Sequence, residues 1–197
     1  MLLVVQLVLL HVQQINYLDY ATFTINSLTA NTQYNGLLTS GMAKLRYFLM
    51  QPQLNSSANY LGYSPMLSPF SSAPGTCLPY ARVSQFQIQL NGSNVFDNAI
   101  NYSIENFYEQ VRSSLSINGG SLNSVGLTSG SLSKTDYERG YGYIYVNLAH
   151  QESSAKDGMN KAVQLIFTNN SNITCDYFIV LCQEKNISIN VSSGVFV

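Results

Sequence analysis

From Val83 to Leu90 the chain alternates. Val83, Gln85, Gln87 and Gln89 fall on one face and Ser84, Phe86, Ile88 and Leu90 on the other, the period-two pattern of a half-buried strand. Asn91-Gly92 follows at once, and both residue types accept the positive φ of a two-residue hairpin turn. Tyr20–Leu28 alternates in the same way, with Tyr20, Thr22, Thr24 and Asn26 set against Ala21, Phe23, Ile25 and Ser27. Between these, Leu38, Met42, Leu45 and Leu49 have helical spacing while KLRYFLM also alternates, so the pattern leaves helix and strand open over Leu37–Met50.

A switch to period 3.6 occurs once. Ile104, Phe107, Tyr108 and Val111 stand at i, i+3, i+4 and i+7 behind Ser103, a good N-cap, so a helix is predicted over 103–115 with its aromatic stripe as a packing face. A Gly- and Ser-rich stretch, 116–142, follows and reads as a long ordered surface loop. Three strands then close the chain, YGYIYVNLA, KAVQLIFTN and CDYFIVLCQ, before a last extended piece, ISINVSSGVFV. NNSN and EKN between them read as hairpin connections.

All five prolines lie between Pro52 and Pro79. Proline donates no ladder hydrogen bond, so 52–80 is an irregular excursion between two parts of a sheet, with an inter-domain linker as the competing reading. The prediction is therefore an all-β chain: one antiparallel sandwich over residues 1–197, with N-terminal strands in 1–51, the excursion in 52–80, the main strands in 81–197, one short helix and long ordered loops. At 197 residues the chain is long enough for one domain with a real core.

Charged residues make up only 10%, against a typical ~25%, and Ser, Asn, Thr and Tyr take their place. The net charge is −1 and the basic residues are scattered, which leaves no electrostatic footprint for direct nucleic-acid binding. MLLVVQLVLLHV at the N-terminus lacks the basic flank and cleavage site of a signal peptide and is too short to span a bilayer; it reads as a buried first strand, so no membrane insertion is predicted, and a chain starting inside such a strand could be a trimmed piece of something longer. Of the three cysteines, Cys175 and Cys182 bracket one strand, which puts them ~23 Å apart on opposite faces, beyond disulfide reach. With Cys77 they read as unpaired thiols.

Catalytic patterns are lacking. His11 and His150 are the only histidines, one in the apolar first segment and one at a strand end. No metal-ligand spacing and no phosphate loop is present, so no catalytic residue, metal or cofactor is assigned. Ser131–Lys134 and Ser153–Lys156 match S-x-x-K outside helix-patterned sequence, where the pattern has no mechanism. N-x-[ST] occurs at Asn55, Asn91, Asn101, Asn169, Asn172, Asn186 and Asn190, a small excess over the roughly four that composition predicts.

The order of these features carries a resemblance. SPFSSAPGT at Ser68–Thr76 is followed by VSQFQIQLNGSNVF, YSIENFYEQV, INGG, GLTSG, YGYIYVNLA, KAVQLIFTNNS, CDYFIVLCQEK and INVSSGVF. Over Ser68–Val197 this arrangement resembles the C-terminal jelly roll of a double jelly-roll major capsid protein, of the lineage that includes virophages, polinton-like viruses and the adenovirus hexon. The resemblance implies a jelly-roll β-sandwich in a virion, and with it a strand at Lys44–Met50. It also implies partners that are further copies in a homotrimer, neighbouring capsomers and other capsid proteins, with six jelly rolls giving a pseudo-hexagonal tile in an icosahedral shell. Such proteins carry two jelly rolls per chain, whereas this length suits one plus an N-terminal extension; the second half of a longer protein, a fragment and a single jelly-roll relative are the alternatives. Low charge and 14 tyrosines suit a surface built for association. The competing reading is a β-sandwich attachment or carbohydrate-binding module, with Tyr and Asn lining a shallow site.

Overall fold

The computed structural model describes residues 12–55, 82–113, 134–140, 142–149, 158–190 and 195–196. The strands are β1 (Val12–Leu28), β2 (Gln33–Met42), β3 (Leu45–Leu54), β4 (Val83–Leu90), β5 (Ser93–Asn94), β6 (Ile144–Asn147), β7 (Lys161–Asn169), β8 (Cys175–Asn190) and β9 (Val195–Phe196), with helices α1 (Ile104–Ser113) and α2 (Lys134–Gly140) between β5 and β6. One sheet has the order β1-β8-β3-β6, with β9 on the end of β8, and the other β2-β7-β4-β5. Every pairing is antiparallel, and the partners nest as 1 with 8, 2 with 7, 3 with 6 and 4 with 5. That nesting is a long antiparallel ribbon rolled over itself, the jelly roll.

Alternation builds the core. β7 is buried at every odd position from Lys161 to Asn169, while Ala21, Phe23 and Ile25 of β1 turn inward and Thr22, Thr24 and Asn26 face solvent. Aromatic pairs bridge the sheets, Phe48 with Phe86 at 6.0 Å and Phe167 with Tyr177 at 4.8 Å. A second apolar cluster lies on the opposite side of the first sheet, where Tyr47, Tyr145 and Cys182 meet Ile104, Phe107 and Val111 of α1 and Tyr137 of α2. The helix thus covers a sheet face that would otherwise expose aromatic surface. Cys175 belongs to the inner cluster and Cys182 to the outer one, the opposite faces expected from their spacing, and both are unpaired. Cys77 lies outside the described residues.

Several local readings hold. Asn91 and Gly92, at φ 50° and 81°, form the two-residue turn that sets Leu90 opposite Ser93. α1 begins after Ser103, whose carbonyl accepts from Phe107 N–H and whose own N–H donates to the Asn106 side chain at 3.0 Å. The ambiguous segment is two strands, β2 and β3, separated at Ala43-Lys44 with Lys44 at φ 48°, and Lys44–Met50 is extended from Leu45 onward.

Others are corrected. The alternation of β4 is broken by a bulge between Ser84 and Gln87, with Gln85 at φ 50°. Val83 and Phe86 consequently both enter the core instead of lying on opposite faces. Gln87 is buried as well: its Oε1 accepts from Ile88 N–H and Phe96 N–H, and its Nε2 donates to the Phe96 carbonyl at 2.7 Å. Pro52, placed in the excursion, lies within β3 opposite Tyr177. β6 reaches only to Met50, so Pro52 sits where β3 is an edge and a missing N–H costs no ladder bond. The predicted turn at EKN is the interior of β8, because Glu184 is held by Arg46 and Lys185 by Asp19 from neighbouring strands. NNSN does connect β7 to β8, but across the two sheets and not as a hairpin. α2 occupies part of the stretch read as loop, and Lys134 is its first residue, so this lysine does lie on a helix. The apolar segment 1–11, most of the proline-rich excursion (56–81) and most of the Gly/Ser stretch (114–133) lie outside the described residues.

Candidate functional site

A cleft of about 250 Å³ opens where α1 and α2 meet the start of β4, lined by Arg82, Ser84, Asn101, Lys134, Tyr137 and Glu138 among others. Its hydroxyls are structural. Ser103, the residue before α1, has its Oγ 3.0 Å from Asn106 Oδ1 and also hydrogen-bonds the Glu105 side chain, which holds the Glu105 carboxyl below its usual range, so its hydroxyl is engaged in the first turn of the helix. Tyr102 donates its hydroxyl proton to the Tyr145 carbonyl at 2.5 Å and accepts from Tyr145 N–H at 3.0 Å, so it is locked onto β6, and burial holds its pKa above the ordinary tyrosine value. Burial likewise raises the Cys175 and Cys182 thiols, which keeps them neutral and weakly nucleophilic. Among the described residues no three of His, Cys, Asp and Glu gather to hold a metal, and no helix is long and apolar enough to cross a membrane. His11, His150, Ser131 and the Ser153–Lys156 pair lie outside the described residues.

The polar side chains that matter join strands and turns. Asn169 is fully buried, and its amide donates to the carbonyls of Leu28, Thr29 and Ile173 while its oxygen accepts from Ser171 N–H. Asn55, also buried, donates to Ser27 Oγ and to Asp176 at 2.7 Å. Asn91 uses its Oδ1 to accept from Ala162 N–H at 2.7 Å. Three of the seven sequon asparagines are thus structural elements of the sandwich. Asp19, Gln183 and Lys185 form a cluster between β1 and β8, with Lys185 Nζ 2.7 Å and Gln183 Nε2 2.8 Å from Asp19 Oδ2. The Lys185 hydrogen bond holds the Asp19 carboxyl below its usual range, and Asp19 in turn raises Lys185.

The surface is uneven at its two flanks. On one, the edge strands are the short β6 and β5, and β6 is sealed further by Tyr102 on Tyr145 and by Gln110 Oε1, which accepts from Asn147 N–H at 3.1 Å. On the other, the edges are the long β1 and β2. β1 and β8 also run past the sandwich together, from Leu18 opposite Glu184 out to Val12 opposite Asn190, where β3 no longer pairs with β8. No single residue predicted this asymmetry, since strand neighbours are not readable from one sequence.

A five-stranded and a four-stranded sheet, nested strand by strand and with a helical cover on the first, make this a jelly-roll sandwich. Among solved structures the chain is similar to a chain in the cryo-EM structure of the Sputnik virophage, with a TM-score of 0.50 and 15% identity over 93% of this chain and 38% of that one. It is also similar to the mavirus major capsid protein, with a TM-score of 0.41 and 9% identity over 95% of this chain and 41% of that one. The chain therefore spans about two-fifths of the length of either structure. No protein-family model matches the chain, and no curated protein sequence is significantly similar to it.

Proposed function

We propose that this chain is a structural subunit of a viral capsid, located in the virion, without catalytic activity of its own. The observation that carries the reading is the jelly-roll nesting of the eight main strands, in a chain whose fold is similar to the Sputnik virophage chain over 93% of its length. The finer picture belongs to the same proposal. One jelly-roll unit associates through homotrimeric capsomers, which meet neighbouring capsomers and other capsid proteins in an icosahedral shell, without direct nucleic-acid contact or membrane insertion. The low charge supports it, because identical copies carry identical charges and a neutral surface meets itself without repulsion. The carbohydrate-binding alternative gains nothing from the cleft, whose Tyr102 hydroxyl is committed to β6.

The test is to purify the chain and measure its mass in solution by light scattering, with negative-stain imaging of the same sample. Trimers or larger tiles formed without added metal or nucleotide are expected. A strictly monomeric species that binds glycans tightly would overturn the reading in favour of an attachment module.

A further inference from the structure

Among the described residues, the large apolar side chains left most exposed are Ile15, Tyr17, Tyr20, Leu37 and Met159. Four of the five lie on β1 and β2, the two edge strands of a single flank. Met159 stands two residues before Lys161, the β7 residue paired with Met42 at the end of β2. Leu37 is 61% exposed and Ile15 44%, while Ala21, Phe23 and Ile25 of β1 and Tyr34, Leu38 and Met42 of β2 pack on the core. Scattered exposed apolar residues need no explanation, but their collection on one flank does.

The backbone of that flank is equally open. β1 pairs with β8 on one side and has no strand on its other side among the described residues. Its register is regular from Val12 to Ile25, with the only irregularity between Ile25 and Leu28. Proteins that stay monomeric blunt such edges with short strands, proline, bulges or charge. The opposite flank has the short strands, whereas β1 and β2 are long and contain no proline and a single charged side chain, Asp19, already paired with Lys185; β2 is irregular between Leu37 and Met42, and β1 between Ile25 and Leu28.

We infer that the β1–β2 flank, together with the overhang of β1 on β8, is the surface on which a second copy of this chain packs. The occupant follows from chemistry. A charged ligand or partner would be met by complementary charge, which this flank lacks, whereas a second copy needs a neutral surface of apolar anchors and unpaired edge. This inference rests on the capsid reading and adds the residues through which copies meet.

The experiment compares the full chain with I15K/L37K and with S93K/N94K, which places the same added charge on β5 at the opposite flank. Association is followed by light scattering over a concentration series, and folding by circular dichroism. The β1–β2 variant is expected to associate about 30-fold more weakly or worse, the loss typical of interface anchors, while the β5 variant associates as the parent does. Hydrogen exchange on the unmodified chain gives a readout independent of any variant, with amides of 12–25 gaining protection as concentration rises. If the parent assembles and neither change appears, the flank assignment is overturned and the capsid reading stands. A parent that stays monomeric throughout overturns both.

Discussion

The side-chain amide of Asn169, at the end of β7, donates a 3.0 Å hydrogen bond to the carbonyl of Leu28, at the end of β1 in the other sheet. The same side chain reaches Thr29 and Ile173, so one buried amide ties the β1–β2 turn to the β7–β8 turn. Backbone bonds reinforce the join, from Asn31 N–H to the Asn169 carbonyl at 2.7 Å and from Asn169 N–H to the Thr32 carbonyl at 3.0 Å. This end of the sandwich is closed around a fully buried amide whose partners lie on the two turns.

Asn169→Ala should therefore be severely destabilising. It removes a fully buried amide that serves three part-buried carbonyls and the buried Ser171 N–H, for an expected loss of roughly 2–3 kcal/mol in urea unfolding. A loss under about 1 kcal/mol would show that water replaces the amide freely.

Phe107→Ala should remove the centre of the outer cluster. Phe107 is 4% exposed and stacks on Tyr137 at 5.4 Å, so truncation should cost ~3 kcal/mol or more by thermal or chemical unfolding. Unchanged stability with lost assembly would instead place this ring at a subunit contact.

Two buried tyrosine hydroxyls should respond in opposite ways to Phe. Tyr102→Phe removes both bonds to the Tyr145 backbone and should cost about 1–3 kcal/mol. The Tyr177 hydroxyl has no hydrogen-bond partner meeting normal geometry among the described residues, with the Cys175 thiol as its polar neighbour. Tyr177→Phe should then change stability by less than ~1 kcal/mol or raise it. Parallel denaturation curves of the two variants decide the matter.

The Asp19–Lys185 pair sets a pH window for the β1–β8 overhang. Asp19 is lowered from 3.8, so its contribution is present above that value and is lost as pH falls through the folded pKa. Lys185 is raised from 10.5, so its contribution is present below that value and is lost as pH rises through the folded pKa. Exchange protection in residues 12–18 should be flat between these limits and fall outside them, and Asp19→Asn should flatten the acid side.

Local pattern alone determined much of this protein. The alternation of Tyr20–Ile25 and of KAVQLIFTN, the Asn91-Gly92 turn and the apolar face of α1 each depend on a few neighbouring side chains, and each is in place, whereas the predicted alternation fails beyond Ile25, where the register shifts, Ser27 (φ 57°) is exposed and Leu28 packs on the core. The tertiary structure decided what depends on residues far apart in sequence. Which strands pair is settled by burial over separations such as that between Phe23 and Ile179, which no local window contains. The bulge at Gln85 overrides a clean alternation because Phe86 pairs with Ile100 instead of β7, at 2.8 and 3.0 Å, letting Val83 join the core. Glu184-Lys185 looks like a turn in sequence and is a strand interior because Arg46 and Asp19 stand beside it. The open flank of β1 and β2 is likewise a property of strand order: Ile15 and Leu37 look like ordinary strand residues until the edges are known.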